Sequence, residues 1–345
     1  MKHDHHRTTE EDGVSVATTS ILVGDCIESM RGMAAGSVDC CVTSPPYYGL
    51  RDYGHEGQIG LEETPDAYVA KLVAVFREVR RVLRDDGTLW LNLGDSYAGS
   101  GPSGASYQSK TTRERQGKSR DGSFAISKTL SSRGLTYADK KPIPPIGLKP
   151  KDIIGIPWRV AFALQADGWW LRQDIIWNKP NPMPESVRDR CTKAHEYLFL
   201  LSKSERYHFD AEAISEPAVY AGTMQTFATP AKTARAMGRA QSGNERPDAP
   251  KVEMKETRNR RSVWTVATKP YSGAHFATFP PKLIEPCILA GCPAGGTVLD
   301  PFGGSGTTAA VANEHGRNAV LCELNPEYAE LARKRLGGVQ PRMFT

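Results

Sequence analysis

No apolar run in the 345-residue chain approaches the roughly 20 residues needed to cross a bilayer. The opening MKHDHHRTTEEDG has no apolar signal core, so a cytoplasmic protein with no membrane partner is expected. Cysteine is sparse: 7 residues (Cys26, Cys40, Cys41, Cys191, Cys287, Cys292 and Cys322), odd in number and without a CxxC pair. That pattern argues against a disulfide framework and against a zinc site, and no metal is expected. His3, His5 and His6 sit in a polar terminus and are given no role. Charge of one sign does not dominate either, since 44 Lys and Arg face 39 Asp and Glu. The net +5 permits a polyanionic partner without requiring one, so the position of the charge matters more than its sum.

What the chain does have is a repeated helix-then-strand pattern. ILVG ends at Asp25, a short helix follows, and the apolar run DCCVT delivers Ser44-Pro45-Pro46-Tyr47-Tyr48. Thr64 reads as an N-cap with Pro65 in the first turn, and Tyr68, Leu72, Val75, Phe76, Val79, Val82 and Leu83 recur at helical spacing until Asp86-Gly87. TLWLNLGD then reads as a buried strand. A helix from Pro157 to Gln165 leads to strands WWLRQDIIW and HEYLFLLS. The last segment offers an apolar helix around Leu283–Leu289, strand TVLD, a glycine turn, a helix, strand AVLCE and a closing helix from Pro326 to Leu336. This alternation predicts an α/β fold, a doubly wound, mostly parallel sheet covered on both faces. Two stretches break it, about 98–141 and 211–262, both irregular and basic.

The turn Asp300-Pro-Phe-Gly-Gly-Ser-Gly-Thr-Thr308 lies between a short apolar strand and an alanine-rich helix. Glycines there let the backbone approach a ligand, and the helix N-terminus beyond favours polar or anionic groups. Glu323 ends the next strand, where a carboxylate would face ribose hydroxyls, so the pair reads as a nucleoside-cofactor site. Taken alone the turn also fits a relaxed dinucleotide fingerprint, Gly304-x-Gly306-x-x-Ala309, which leaves a NAD-dependent enzyme open.

The other turn decides between them. Two prolines after Ser44 fix φ and remove two backbone donors, leaving carbonyls to point outward beside an aromatic ring at the end of a buried strand. The exocyclic amine of cytosine or adenine is a poor nucleophile because its lone pair is delocalised into the ring. Two acceptors gripping its hydrogens would draw it toward tetrahedral geometry and stabilise the charge that develops on nitrogen. Ser44 Oγ and the Pro45 carbonyl are the candidates, with Pro46 stiffening the turn and Tyr47 stacking on a base that has left its helix. Pro286-Cys287, although a Pro-Cys pair, lies in an apolar helical run and is read as structural.

GDC at 24–26, TSPPYYGL at 43–50, GTLWLNLGD at 87–95, WRVAFALQADGWWLRQDIIWNKPNP at 158–182, EYLFLLSKSERYHFD at 196–210, HFATFPPKL at 275–283, DPFGGSGTT at 300–308 and CELNPEYAELARKRL at 322–336 together resemble the DNA amino-methyltransferases. The arrangement is the permuted one, with the catalytic turn before the cofactor glycines. The resemblance implies a Rossmann-like methyltransferase fold, circularly permuted, with S-adenosylmethionine as cofactor. It implies that Phe276, Thr278 and Phe279 close over the methionine part, that Asp25 lies near the adenine and that Glu323 binds the ribose. Phe302, Gly303, Gly304 and Gly306 would line methionine and sugar, Asp300 would fix their loop, and Thr43, Ser305, Thr307 and Leu324 complete the expected cofactor set. Family motifs that start with Ser usually accompany cytosine-N4 and those with Asp adenine-N6, so Ser44 favours N4-methylcytosine, with adenine-N6 the alternative.

The resemblance divides the chain into a tail (1–18), a catalytic half (19–97 and 151–210) interrupted by a basic insertion (98–150), a target-recognition region (211–265), a cofactor-binding half (266–338) and a short tail (339–345). Double-stranded DNA is the expected partner, and a restriction endonuclease partner and a homodimer are both compatible. No helix-turn-helix or zinc-finger pattern is present to read bases. Arg258, Arg260 and Arg261 in the second basic stretch, with Arg51, Lys179 and Asn181 near the catalytic turn, are the candidate DNA contacts. Two rivals stand: methylation of RNA or a protein glutamine by a similar turn, and a catalytically silent binder of the same fold.

Overall fold

The structure, a computed structural model, describes residues 17–50, 55, 57–98, 147–226, 251–253, 255–268 and 279–337. It divides into two compact units, one of residues 1–209 with 262–345 and one of residues 210–261.

In the larger unit, β1 (Thr19–Val23), α1 (Cys26–Arg31) and β2 (Val38–Thr43) come first, followed by α2 (Pro65–Val82) and β3 (Leu83–Leu93). α2 forms as its sequence dictates. Thr64 Oγ1 accepts from the Ala67 amide at 3.1 Å, Pro65 occupies the first turn, and Tyr68, Leu72, Val75, Phe76, Val79 and Val82 are all buried along one stripe. The helix does not run on to Gly87. The chain turns at once into β3, because Leu83 pairs with Val38 of β2 and is drawn into the sheet, while Arg84, Asp85 and Asp86 stay exposed. α3 (Ile156–Ala166), β4 (Trp170–Asn178) and β5 (His195–Ser202) complete the first half.

The smaller unit holds two short antiparallel pairs. β6 (Glu216–Pro217) and β7 (Met224–Thr226) pair in turn with β9 (Thr257–Arg258) and β8 (Lys251–Glu253). Part of the basic stretch expected to be irregular is therefore strand, and Glu216 organises it by accepting from Arg258 Nε at 3.0 Å and Arg261 Nε at 2.6 Å.

The chain returns to the larger unit with β10 (Val263–Thr265), α4 (Pro281–Gly291), β11 (Thr297–Asp300), α5 (Thr307–Glu314), β12 (Asn318–Glu323) and α6 (Pro326–Arg335). All strands of this unit form one eight-stranded sheet in the order β1-β12-β11-β2-β3-β5-β4-β10. Every neighbouring pair is parallel except β3 with β5 and β4 with β5, so β5 alone runs backward. This is the Rossmann-like α/β sheet that the alternation predicts.

Side chains alternate across the central strands as a pleat requires. Cys41, Leu89, Leu91 and Leu93 join the core beneath α2 and α3, where Leu72, Phe76, Val160 and Leu164 are fully buried. Cys40, Thr88 and Trp90 point to the opposite face and receive α4, whose Gly291 leaves no room for a side chain. A Cβ there would lie 2.5 Å from Trp90 Nε1 and 2.6 Å from Thr88 Oγ1. Cys287, in the middle of α4, is wholly buried, as a structural thiol should be. Gly291→Ala is expected to overpack this seam and lower the free energy of unfolding by about 1–3 kcal/mol, read as an earlier midpoint in urea denaturation at unchanged slope.

Candidate active site

Parallel pairing puts β2 and β11 side by side, with Cys41 opposite Leu299, so the two strands end together. Each ends in one of the turns singled out above. Asp300 joins them. Its Oδ1 accepts from Thr43 Oγ1 at 2.6 Å and from the Phe302 amide at 3.0 Å, and its Oδ2 accepts from Thr308 Oγ1 at 2.6 Å. Burial pushes this carboxyl up, and the three donors pull it back. Thr43 is thus a strut between the two turns, and Thr308, which the sequence did not single out, is its counterpart on α5.

The three glycines of the second turn do different work. Gly303 and Gly306 are packing positions: a Cβ on Gly303 would lie 2.8 Å from Leu321 Cβ, and one on Gly306, at φ +78°, 3.1 Å from Ala332 Cβ. Gly304, at φ +50°, faces open space, with only the Phe302 carbonyl within 4 Å at 3.9 Å, so a ligand can approach its backbone. Beside it, Glu323 Oε2 accepts from the Gly304 amide at 2.7 Å and Oε1 from the Asn325 amide at 2.9 Å. Burial raises the Glu323 carboxyl, and these two amides oppose the rise. Phe302 and Leu324 flank the turn half-buried, while Ser305 and Thr307 are buried, Thr307 Oγ1 accepting from Arg335 Nη1 at 2.9 Å. An open glycine backbone beside an accepting carboxylate fits a nucleoside with free ribose hydroxyls. Asp25 stands at the end of the neighbouring β1, and its Oδ1 caps α1 by accepting from the amides of Ile27 at 2.9 Å and Glu28 at 3.1 Å. Phe279 is half-buried ahead of α4; Phe276 and Thr278 lie outside the described residues.

The Ser-Pro-Pro-Tyr turn is held from several sides. Tyr68 of α2 donates its hydroxyl to the Pro46 carbonyl at 2.9 Å, so one of the two proline carbonyls expected to point outward is taken by the core. Tyr47 donates to Glu196 Oε2 at 2.7 Å and lies 3.2 Å from Asn92 Oδ1. Burial, and next the Glu196 charge, push its hydroxyl well above the ordinary tyrosine range, so it is a neutral donor. Ser44 Oγ in turn donates to the Tyr47 oxygen at 3.4 Å. Gly94 lies against the ring, leaving only 2.5 Å between a Cβ there and Tyr47 Cε2.

Glu196, Asn92 and Tyr68 went unnoticed as site residues. The signal for Glu196 was a charge at the head of an otherwise apolar strand, but its significance depends on the direction of β5, which no local pattern gives. Of the expected DNA contacts, Lys179 forms a close ion pair with Glu196 and sits 4.3 Å above the Trp177 ring. Asn181 pairs with the backbone of Thr268, donating through Nδ2 at 3.1 Å and accepting through Oδ1 at 3.0 Å. Both are thus engaged within the protein. Arg258 and Arg261 are paired with Glu216, Arg260 is half-buried, and Arg51 lies outside the described residues.

A nucleoside pocket joined through one carboxylate to a Ser-Pro-Pro-Tyr turn defines a methyltransferase that acts on an amine. Residues 38–334 match the model of the DNA methylase family, and the chain belongs to that family. It is 47% identical over 322 residues to the Type II methyltransferase M.SmaI of Serratia marcescens, covering 93% of this chain and 92% of that protein. It is 48% identical over 320 residues to the Type II methyltransferase M.XycI of Xanthomonas campestris pv. cyanopsidis, with coverage of 93% and 88%. In fold it is similar to the PvuII DNA methyltransferase (cytosine-N4-specific), at a TM-score of 0.56 and 19% identity over 93% of this chain and 86% of that one. A DNA modification methylase of Thermus thermophilus solved with S-adenosyl-L-methionine matches at a TM-score of 0.52 and 22% identity, over 92% of this chain and 93% of that one. The chain is a DNA methyltransferase of the amino-directed kind, and S-adenosylmethionine is its methyl donor.

Because Gly94 and Tyr47 touch so closely, Gly94→Ala is expected to drive the ring off Glu196 and lower DNA methylation at least about tenfold at an unchanged far-ultraviolet spectrum. Near-normal turnover in that variant would show that the ring need not sit where it does.

Proposed function

We propose that the enzyme transfers the methyl group of S-adenosylmethionine to N4 of a cytosine flipped out of double-stranded DNA. The observation that carries this reading is the Thr43–Asp300–Phe302 linkage, which sets Ser44 beside the glycine turn. Ser44 Oγ and the Pro45 carbonyl hold the amine, and Tyr47 stacks on the base. In the cofactor pocket, the Gly304 backbone and Phe302 line the donor, Glu323 takes the ribose hydroxyls, Asp25 lies toward the adenine, and Phe276, Thr278 and Phe279 cover the methionine end. Two observations favour cytosine over adenine: a serine opens the catalytic turn, and the PvuII enzyme of similar fold is cytosine-N4-specific. Adenine-N6 is the second reading. Placing the catalytic turn ahead of the cofactor turn in the chain supports the permuted arrangement. Residues 211–265 are the proposed base-reading region, with Arg258, Arg260 and Arg261 its cations; a restriction endonuclease of the same specificity and a homodimer are compatible with the Type II relatives.

Incubation with labelled S-adenosylmethionine and mixed-sequence duplex, followed by digestion to nucleosides, is expected to yield N4-methylcytosine. N6-methyladenine instead would overturn the choice of base, and no methylated nucleoside would overturn the reaction. Ser44→Ala is expected to reduce turnover about a hundredfold or more while cofactor binding, followed by calorimetry, stays within twofold.

Cofactor binding should also carry a pH signature. Ribose hydroxyls donate best to an ionised Glu323, whereas burial favours its neutral form. Affinity is therefore full at alkaline pH and falls on acidification through a raised pKa, sooner than for an ordinary glutamate. Titrations between about pH 8 and pH 5 are expected to show that decline, and Glu323→Gln to flatten it while weakening binding about tenfold.

A further inference from the structure

Behind the catalytic turn lies a polar chain that the transfer of a methyl group does not by itself require. Its far end is the ion pair of Lys179 and Glu196, whose side chains are only 17% and 14% exposed. Lys179 is anchored over Trp177, a buried indole that donates to the Val266 carbonyl at 2.7 Å. Glu196 Oε2 accepts from Asn92 Nδ2 at 3.2 Å as well as from Tyr47. Withdrawing two charges from water costs several kcal/mol each, and an apolar pair of the same volume is often at least as stabilising. The pair therefore calls for a reason beyond stability.

Direction supplies one. A hydroxyl can donate one hydrogen bond and accept others, so a chain of hydroxyls can point either way unless one end is fixed. An ionised carboxylate only accepts. With Glu196 held ionised by the adjacent ammonium of Lys179, Tyr47 must spend its proton on Glu196, and its oxygen is then left to accept from Ser44. Once Ser44 has given its proton to Tyr47, only lone pairs remain on Oγ, and lone pairs are what an amine with two hydrogens needs opposite it. We infer that Lys179 and Glu196 are positioning residues which, through Tyr47, set the direction of the hydroxyl chain and make Ser44 a pure acceptor toward the target amine.

This inference rests on the proposed amino methylation and deepens it. Its test compares Tyr47→Phe, Glu196→Gln and the double variant with the wild-type enzyme on duplex DNA, measuring kcat, KM for DNA and the dissociation constant for S-adenosylmethionine. Phe keeps the ring but ends the chain; Gln can donate as well as accept, so the direction is no longer set. Each single change is expected to lower kcat about tenfold with cofactor affinity within twofold, and the double variant to be no slower than Tyr47→Phe alone. Losses that multiply, or Glu196→Gln turning over at the wild-type rate, would overturn the inference. Should the lone Lys179 left by Glu196→Gln prevent folding, Tyr47→Phe leaves the ion pair whole and decides by itself: a kcat within twofold of wild type rejects the directional role. A wild-type enzyme that produces no methylated base would instead remove the function on which the inference is built.

Discussion

A single buried carboxylate keeps the two working turns in register. Asp300 belongs to β11 and to the turn that follows, yet through Thr43 it also holds the end of β2, and through Thr308 the start of α5. Its partners are separated from it by 257 residues in one direction and by 8 in the other. An aspartate so deeply buried is costly unless every lone-pair direction is answered, and here two hydroxyls and one amide answer it. Strand pairing fixes the spacing of neighbouring strands at about 4.8 Å, and the Asp300 bonds convert that spacing into a fixed relation between the turns. Neither turn needs a contact of its own with the other.

The reversed strand adds what parallel strands cannot. The C-terminal ends of β2, β3, β4, β11 and β12 all meet at one edge of the sheet, where open α/β folds place their ligands. Because β5 runs against its neighbours, it brings its beginning to that edge. A charged residue can sit there without entering the sheet interior, where Leu198, Phe199, Leu200 and Leu201 fill the core. Glu196 thus reaches Tyr47 across β3, while Asn92 of β3 spans the gap, giving to the Tyr197 carbonyl and to Glu196 at once.

Much of this was legible beforehand because local and global signals agree. The stripe on α2, the proline-started helices and the short apolar strands specify their elements by periodicity and capping alone, and both turns could be seen in the order of residues. The less legible parts depend on long-range pairing. That Leu83 leaves the helix for the sheet follows from Val38 opposite it, not from helical propensity. That Pro46 loses its outward carbonyl follows from Tyr68, 22 residues on, whose position at the head of a buried stripe gave no hint of a polar task. Lys179 and Asn181 look from sequence like solvent-facing cation and amide. Partners 17 and 87 residues away in the chain turn both inward.

The way the chain leaves β3 and re-enters at α3 has a consequence for how such enzymes diversify. Ala98 donates its amide to the Asp152 carbonyl at 2.8 Å, Lys151 donates back to Ala98 at 2.8 Å, and Ile154 donates to Ser96 at 2.9 Å. Asp95 then caps α3 by accepting from the Gly155 and Ile156 amides, both at 3.0 Å. The exit and entry points are stitched to each other, so the sheet has no mechanical knowledge of what is spliced between them. Doubling the length of such a segment adds only about 0.6 kcal/mol of closure entropy. Sequence in that interval can drift, lengthen or be exchanged between lineages while the chemistry beneath it stays intact.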